Sequence, residues 1–431
     1  MATLQPSDAY ILALPNEVLE QVLSPEVREE SHYINTKIGI SALCSVCKRF
    51  RDVFLWRLYH TIRCHDIRDV RPFLEVLPFQ GARHIVHLDL VLFPIDNLAG
   101  YDLLSMLYLF LLSTKELKSL RSLRLDIHPT PRSVNNHGVT VPAAVERAPA
   151  DPMPLSSEVV NAFNSVLRSL PEQLRSLSLS GFCLEDATAG LAAAKFPSLR
   201  ALSLDLDGTD EPYDLSYPPF LQGMPLLKSI ELPVQWCPRV KWFRQAFDGR
   251  SFKRIKIGFT GDIFAAEKHM NHGDSLCAWN QCIVTLLKQS SSILKSLNIG
   301  TISLTIPRNS VFPVLTSLTI VDIEFGPEAD KELKALLMPF VRSPLESLKI
   351  LECHDPPDVL INLIDGYWPK LKKLSVSKLT TYRDKYDPPG VGRPYPRPLG
   401  YDAPWDPVSR RKLEAICEQR GVRASLDWGY L

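Results

Sequence analysis

The chain has little of what marks a membrane, secreted or catalytic protein. Its longest apolar run, LLSMLYLFLL at 103–112, is ten residues, whereas a membrane span needs about 20. The run predicts a buried helix and no membrane partner. Charge of one sign is missing too: 49 Lys+Arg face 48 Asp+Glu, a formal net of +1, so no bulk field draws the chain to nucleic acid or an anionic surface. No basic residue precedes Arg28, so the start does not read as a secretory signal. Nine cysteines are odd in number and irregularly spaced, and no Asn-x-Ser/Thr acceptor occurs. These absences predict a reduced cytoplasmic and/or nuclear protein.

Catalytic signatures are also missing. There is no phosphate-cradling loop: Gly390-Val391-Gly392 runs into Arg-Pro-Tyr-Pro and opens no helix. No Gly-x-Ser-x-Gly elbow occurs. Cys44-x-x-Cys47 stands alone on an apolar helix pattern. His269, His272, Cys277 and Cys282 offer metal-ligating side chains without the tight paired spacing of zinc sites. They read as a polar loop entering a helix with Leu276, Ile283, Leu286 and Leu287 on its apolar face. The basic clusters Lys48-Arg49-x-Arg51 and Arg410-Arg411-Lys412 lack the interleaved aromatics of a nucleic-acid module. The expectation is a non-enzyme with no catalytic residue, metal, cofactor or nucleic-acid partner.

Two residue types stand out instead. Prolines number 35, about 8% against a usual ~5%, and leucines number 64, about 15%. The leucines fall into a phrase, Leu-x-x-Leu-x-Leu with Ile, Val or Phe tolerated. Its ten copies begin at Ile85, Leu120, Leu174, Leu199, Leu227, Phe252, Leu294, Leu315, Leu345 and Leu371. Five of the nine steps between them fall in 20–29 residues, the period of leucine-rich repeats, and a sixth is 30. The end of each phrase alternates as a half-buried strand does, and helical periodicity fills segments between copies, as at 330–341. Strands separated by helices imply a parallel sheet backed by helices. The expected fold is therefore an α/β solenoid, an irregular leucine-rich repeat array.

Some of the prolines punctuate this array. A bulky residue, Pro, any residue, then the first Leu recurs at Phe196-Pro197, Met224-Pro225, Phe312-Pro313 and Trp368-Pro369, marking a stop between helix and strand. Others fall in inserts at 129–155 and 382–407, with a third insert at 258–286. Asp406 and Pro407 then start a helix that Gly421 ends, before a last strand at 422–428, together a C-terminal cap.

Residues 11–65 read differently, as a small helical domain following a short tail at 1–10. Pro15 suits a first helical turn, and Val18, Leu19, Val22 and Leu23 form one apolar face. Leu14-Pro15-x-Glu17-Val18-Leu19-x-x-Val22-Leu23, then Leu43-x-x-Val46-Cys47-Lys48-Arg49-Phe50 and Leu55-Trp56, resembles an F-box. The resemblance implies a small all-α module, ahead of the repeat domain at 66–431, that docks on the Skp adaptor subunit of a Skp–cullin–F-box ubiquitin ligase. It implies adaptor contacts from Leu14, Pro15, Val18, Leu19, Val22, Leu43 and Val46. Gly39 stands where the family often has Asp, and the insert at 24–39 is longer than usual.

The strand face opposite the packed leucines carries mostly small hydroxyls, with acidic and basic residues in the middle repeats. Asp205, Glu231, Arg254 and Lys256 there are the candidate contacts to a protein substrate. Together these features predict a substrate-recognition subunit. The alternative is a leucine-rich-repeat scaffold with no ubiquitin-ligase role.

Overall fold

Each of the ten phrases becomes a strand that starts two residues after its first apolar residue. In the computed structural model, the described residues are 48–64, 67–76, 82–92, 95–96, 101–127, 133–134, 140–141, 157–183, 190–207, 220–233, 246–258, 273–299, 306–307, 310–323, 334–353, 358–377 and 407–427. The F-box-like residues Leu14, Pro15, Val18, Leu19, Val22, Leu43 and Val46 lie outside them. The chain divides into two units, one of residues 1–131, 155–178 and 193–198, the other of 132–154, 179–192 and 199–431.

In the first unit, helix α1 (Lys48–His60) runs directly into β1 (Thr61–Cys64). Then come α2 (Ile67–Val76), β2 (His87–Leu92), α3 (Leu103–Thr114), β3 (Ser122–Ile127) and α4 (Ser157–Ser169). The first residues of β4 (Ser176–Cys183) also belong here. Strand order follows chain order and the registered pairs are parallel, with Ile62 opposite Leu88 and Leu88 opposite Leu123. On α4 the buried residues Val159, Ala162, Phe163, Val166 and Leu167 keep helical spacing and pack toward α3. Helix α3 is the apolar run at 103–112. It buries Leu103, Met106, Leu107 and Phe110, but Tyr108 is 50% and Leu112 69% exposed. Packing against α2 and α4 covers one side only, and a helix apolar all round does not reveal which side that is.

The second unit continues with β5 (Ala201–Asp207), β6 (Ser229–Pro233), β7 (Arg254–Gly258), α5 (Gly273–Ser290) and β8 (Ser296–Ile299). After β9 (Ser317–Ile323) and β10 (Ser347–Cys353) come α6 (Asp358–Gly366), β11 (Lys373–Ser377), α7 (Pro407–Gln419) and β12 (Arg423–Asp427). These eight strands lie side by side in chain order, all parallel. Their register aligns the phrases: Leu202, Ile230, Ile255, Leu297, Leu318, Leu348 and Leu374 form one stack across neighbouring strands. The result is the expected α/β, solenoid-like pattern of a parallel sheet with helices.

All thirty apolar positions of the ten phrases are buried, and the most open, Leu227, is 9% exposed. Each fully buried Leu or Ile contributes about 1.5–3 kcal/mol of transfer free energy. The proline signature proves to be a turn. Leu227, Leu315 and Leu371 donate their N–H to Met224, Phe312 and Trp368 carbonyls at 3.3, 3.3 and 3.1 Å. This is a β-turn with Pro at its second position, where φ is already set. The bulky residue at its start is buried in all four copies, and Trp368 Nε1 also donates to the Phe340 carbonyl at 3.1 Å. The turn thus sets the strand entry and anchors it in the core.

The carbonyl just after each first apolar residue forms a second ladder. The Arg200 carbonyl accepts the N–H groups of Lys228 and Ser229, and the Lys228 carbonyl those of Lys253 and Arg254. The same double acceptance repeats at Lys253, Lys295, Thr316 and Glu346. At the degenerate phrase, the Phe252 N–H donates to Ser290 Oγ at 3.0 Å, tying the last turn of α5 to β7. The expected last helix and strand are present as α7 and β12, with Asp406 outside the described residues: Gly421 has φ +66, and the Val422 N–H reaches the Cys417 carbonyl at 2.8 Å. Cys417 is a buried free thiol whose pKa is raised by burial.

Leu348→Ala should destabilise the fold by about 2–5 kcal/mol in urea titration, whereas Lys349→Ala, one residue on, should stay within about 0.5 kcal/mol. Gly421→Ala meets no atom within 4 Å, so its cost is backbone strain alone, about 1–2 kcal/mol by the same measurement.

Candidate functional site

Strand alternation sends every residue between two phrase leucines to the side away from the core. In the second unit the parallel register lines these residues into rows. Ser203, Glu231, Lys256, Asn298, Thr319, Lys349, Ser375 and Ser425 lie on successive strands. The row before it runs Ser229, Arg254, Ser296, Ser317, Ser347, Lys373 and Arg423.

Three of the four expected substrate contacts come together. Glu231 and Lys256 are register partners, and Lys256 Nζ forms an ion pair with Glu231 Oε1. Both side chains are partly exposed, so the pair adds less than about 1 kcal/mol to stability. Arg254 stands one pair earlier, between Ser229 and Ser296, and is exposed. Asp205 lies in β5, two residues beyond the Ser203 that opposes Glu231. Sequence reasoning did not include Arg423, although its register with Lys373 puts it in the Arg254 row. Its strand lacks the phrase, which was the signal used to find the others.

The first unit presents a balanced face. Arg63, Asp89 and Arg124 are aligned on β1, β2 and β3. Arg124 Nε stands 3.9 Å from Asp89 Oδ1, and Arg124 Nη2 donates to Asp126 Oδ2 at 3.4 Å. Asp126 is 5% exposed, so its charge is held near its partner rather than offered to solvent. Next to this triad, His87 aligns with Thr61 and Ser122. Its ring lies 5.2 Å from that of His60, which meets Trp56 edge-on at 5.8 Å. Burial lowers both imidazole pKa values, followed for His87 by the neighbouring His60, with Arg121 acting on each.

Among the described residues no group of three or more His, Cys, Asp or Glu is placed to hold a metal ion. Cys277 and Cys282 lie on α5, Cys282 being buried, while His269, His272, Cys44 and Cys47 fall outside the described residues. No described helix is long and apolar enough to cross a membrane. No protein-family model matches the chain, and no curated protein matches it. The arrangement lines polar and charged side chains over several successive strands.

The histidine pair gives a pH test. Each folded pKa is below the ordinary 6.5, so between the two values the unfolded chain binds more protons. The stability is fully present above about pH 6.5 and is lost as pH falls through the folded values. Urea midpoints measured from about pH 7.5 to about pH 5 should fall, and His87→Gln should flatten part of that slope.

Proposed function

We propose that this chain is a substrate-recognition subunit of a Skp–cullin–F-box ubiquitin ligase. The observation that carries the reading is the motif Leu14-Pro15-x-Glu17-Val18-Leu19 with Leu43-x-x-Val46-Cys47-Lys48-Arg49-Phe50, placed ahead of a repeated α/β array. Leu14, Pro15, Val18, Leu19, Val22, Leu43 and Val46 dock on the Skp adaptor, as helix-in-groove recognition shares apolar side chains with a partner. The repeats are an irregular leucine-rich array that holds a target protein on the polar strand face, with Glu231, Arg254 and Lys256 at its centre. The chain performs no covalent chemistry. It raises the target's effective concentration near the ligase's charging enzyme, in the cytoplasm or nucleus.

Gly39 and the long insert at 24–39 favour a second reading, a leucine-rich-repeat scaffold that engages no ligase. Affinity purification of the full chain separates the two. The ligase reading expects a Skp subunit and a cullin in the purified complex, and the loss of both from Leu14→Ala/Pro15→Ala. A complex without cullin, or undiminished adaptor binding by the double variant, overturns it.

A further inference from the structure

The near-neutral net charge of the chain conceals a local segregation. In the second unit, the residue just after the first apolar position of successive phrases is Arg200, Lys228, Lys253 and Lys295. All four are exposed, and none has an ion-pair partner among the described residues. Their backbones form the double-acceptor carbonyl ladder, which fixes them at the same height at the entrance to β6, β7 and β8. Arg254 adds a fifth exposed cation one position further in. Across these two positions of β5 to β8 the described residues include no acid.

The acidic residues of these strands and of their rim are either remote or paired. Asp205 and Asp207 in β5, Asp322 in β9 and Glu352 in β10 fall toward the C-terminal ends of their strands. Glu231, in the middle of β6, pairs with Lys256, and Glu346, at the rim position of β10 three strands beyond β7, pairs with Lys372. Neighbouring strands are about 4.8 Å apart, so four cations occupy a track of roughly 15 Å. Like charges carried on neighbouring strands at that spacing repel one another. The fold therefore maintains a mutually repelling row that an anionic chain would relieve.

We propose that this N-terminal rim of the strands binds an acidic polypeptide segment, an extended run of Asp and Glu of about five residues at ~3.3 Å each. The inference deepens the proposed recognition role and rests on it. Protein is favoured over nucleic acid because the two positions hold Arg, Lys, Ser and Ala and no aromatic ring on which a base could stack. Three of the four leading cations are lysines, point charges suited to separate carboxylates rather than to one planar anion.

The test uses fluorescence anisotropy with the full chain and a short labelled peptide rich in Asp and Glu. An Asn/Gln counterpart and a single-stranded oligonucleotide serve as comparisons. The acidic peptide should bind more tightly than both, less tightly as salt rises, and roughly tenfold more weakly to Lys228→Glu/Lys253→Glu. Lys228→Gln/Lys253→Gln should lose part of that affinity, and Lys412→Glu on α7 should lose none. Equal binding by the rim variants and the parent, or tighter binding of the oligonucleotide, overturns the proposal. Adaptor co-purification with the same variants keeps the two claims apart. Rim variants that retain the adaptor but bind the peptide as the parent does refute the rim alone. Peptide binding that depends on the rim without any adaptor supports the rim and refutes the ligase role.

Discussion

In the second unit six strands, β6 to β11, start where a single carbonyl of the preceding strand accepts two successive N–H groups, and most of the unit's organisation follows from that junction. The paired hydrogen bonds hold the strands to one register, so a side chain cannot slip to the other face. The apolar positions of these phrases are thereby committed to the core and the intervening residues to the opposite side. Connecting segments of very different length leave this register unchanged, because it is set at the strand entrance rather than by the loop. The Pro-containing turns work with the ladder: they present the first apolar residue at the point where the carbonyl waits.

The stabilising terms are unequal. Burial along the stacked phrases contributes kilocalories per residue, while ion pairs such as Lys256–Glu231 and Lys372–Glu346, both partly exposed, contribute little. The outward face is therefore largely free of structural duty in the second unit, and its composition can answer to a partner. In the first unit the opposite holds, since Asp126 is buried beside Arg124 and its face is internally balanced.

The strands were legible because the phrase repeats at a fixed internal spacing and each copy is buried alike. β1 and β12 were harder, since their apolar positions are Ile62 with Cys64, and Ala424 with Leu426, too few and too varied to echo the phrase. β12 was nevertheless located from its neighbours, the helix start at Pro407 and the stop at Gly421. Thr61–Cys64 merged into the preceding helical pattern and was not separated from it. The Arg200–Lys228–Lys253–Lys295 row escaped a reading based on alternation, because it precedes the strands and is aligned only by hydrogen bonds. The face of α3 left open by Tyr108 and Leu112 could not be read from a run in which nearly every residue is apolar.

The hydrogen bond from Phe252 to Ser290 carries a consequence for how the chain assembles. Its donor and acceptor are 38 residues apart, while most of the ladder joins each repeat to the one before it. A chain forming its strands in order of synthesis reaches β7 with a buried donor whose acceptor has not yet been placed. Closing that span costs loop entropy that grows only slowly with length. The entrance to β7 and the end of α5 are thereby coupled: release of the helix would strip a buried N–H of its acceptor as well as uncover the apolar residues beneath it.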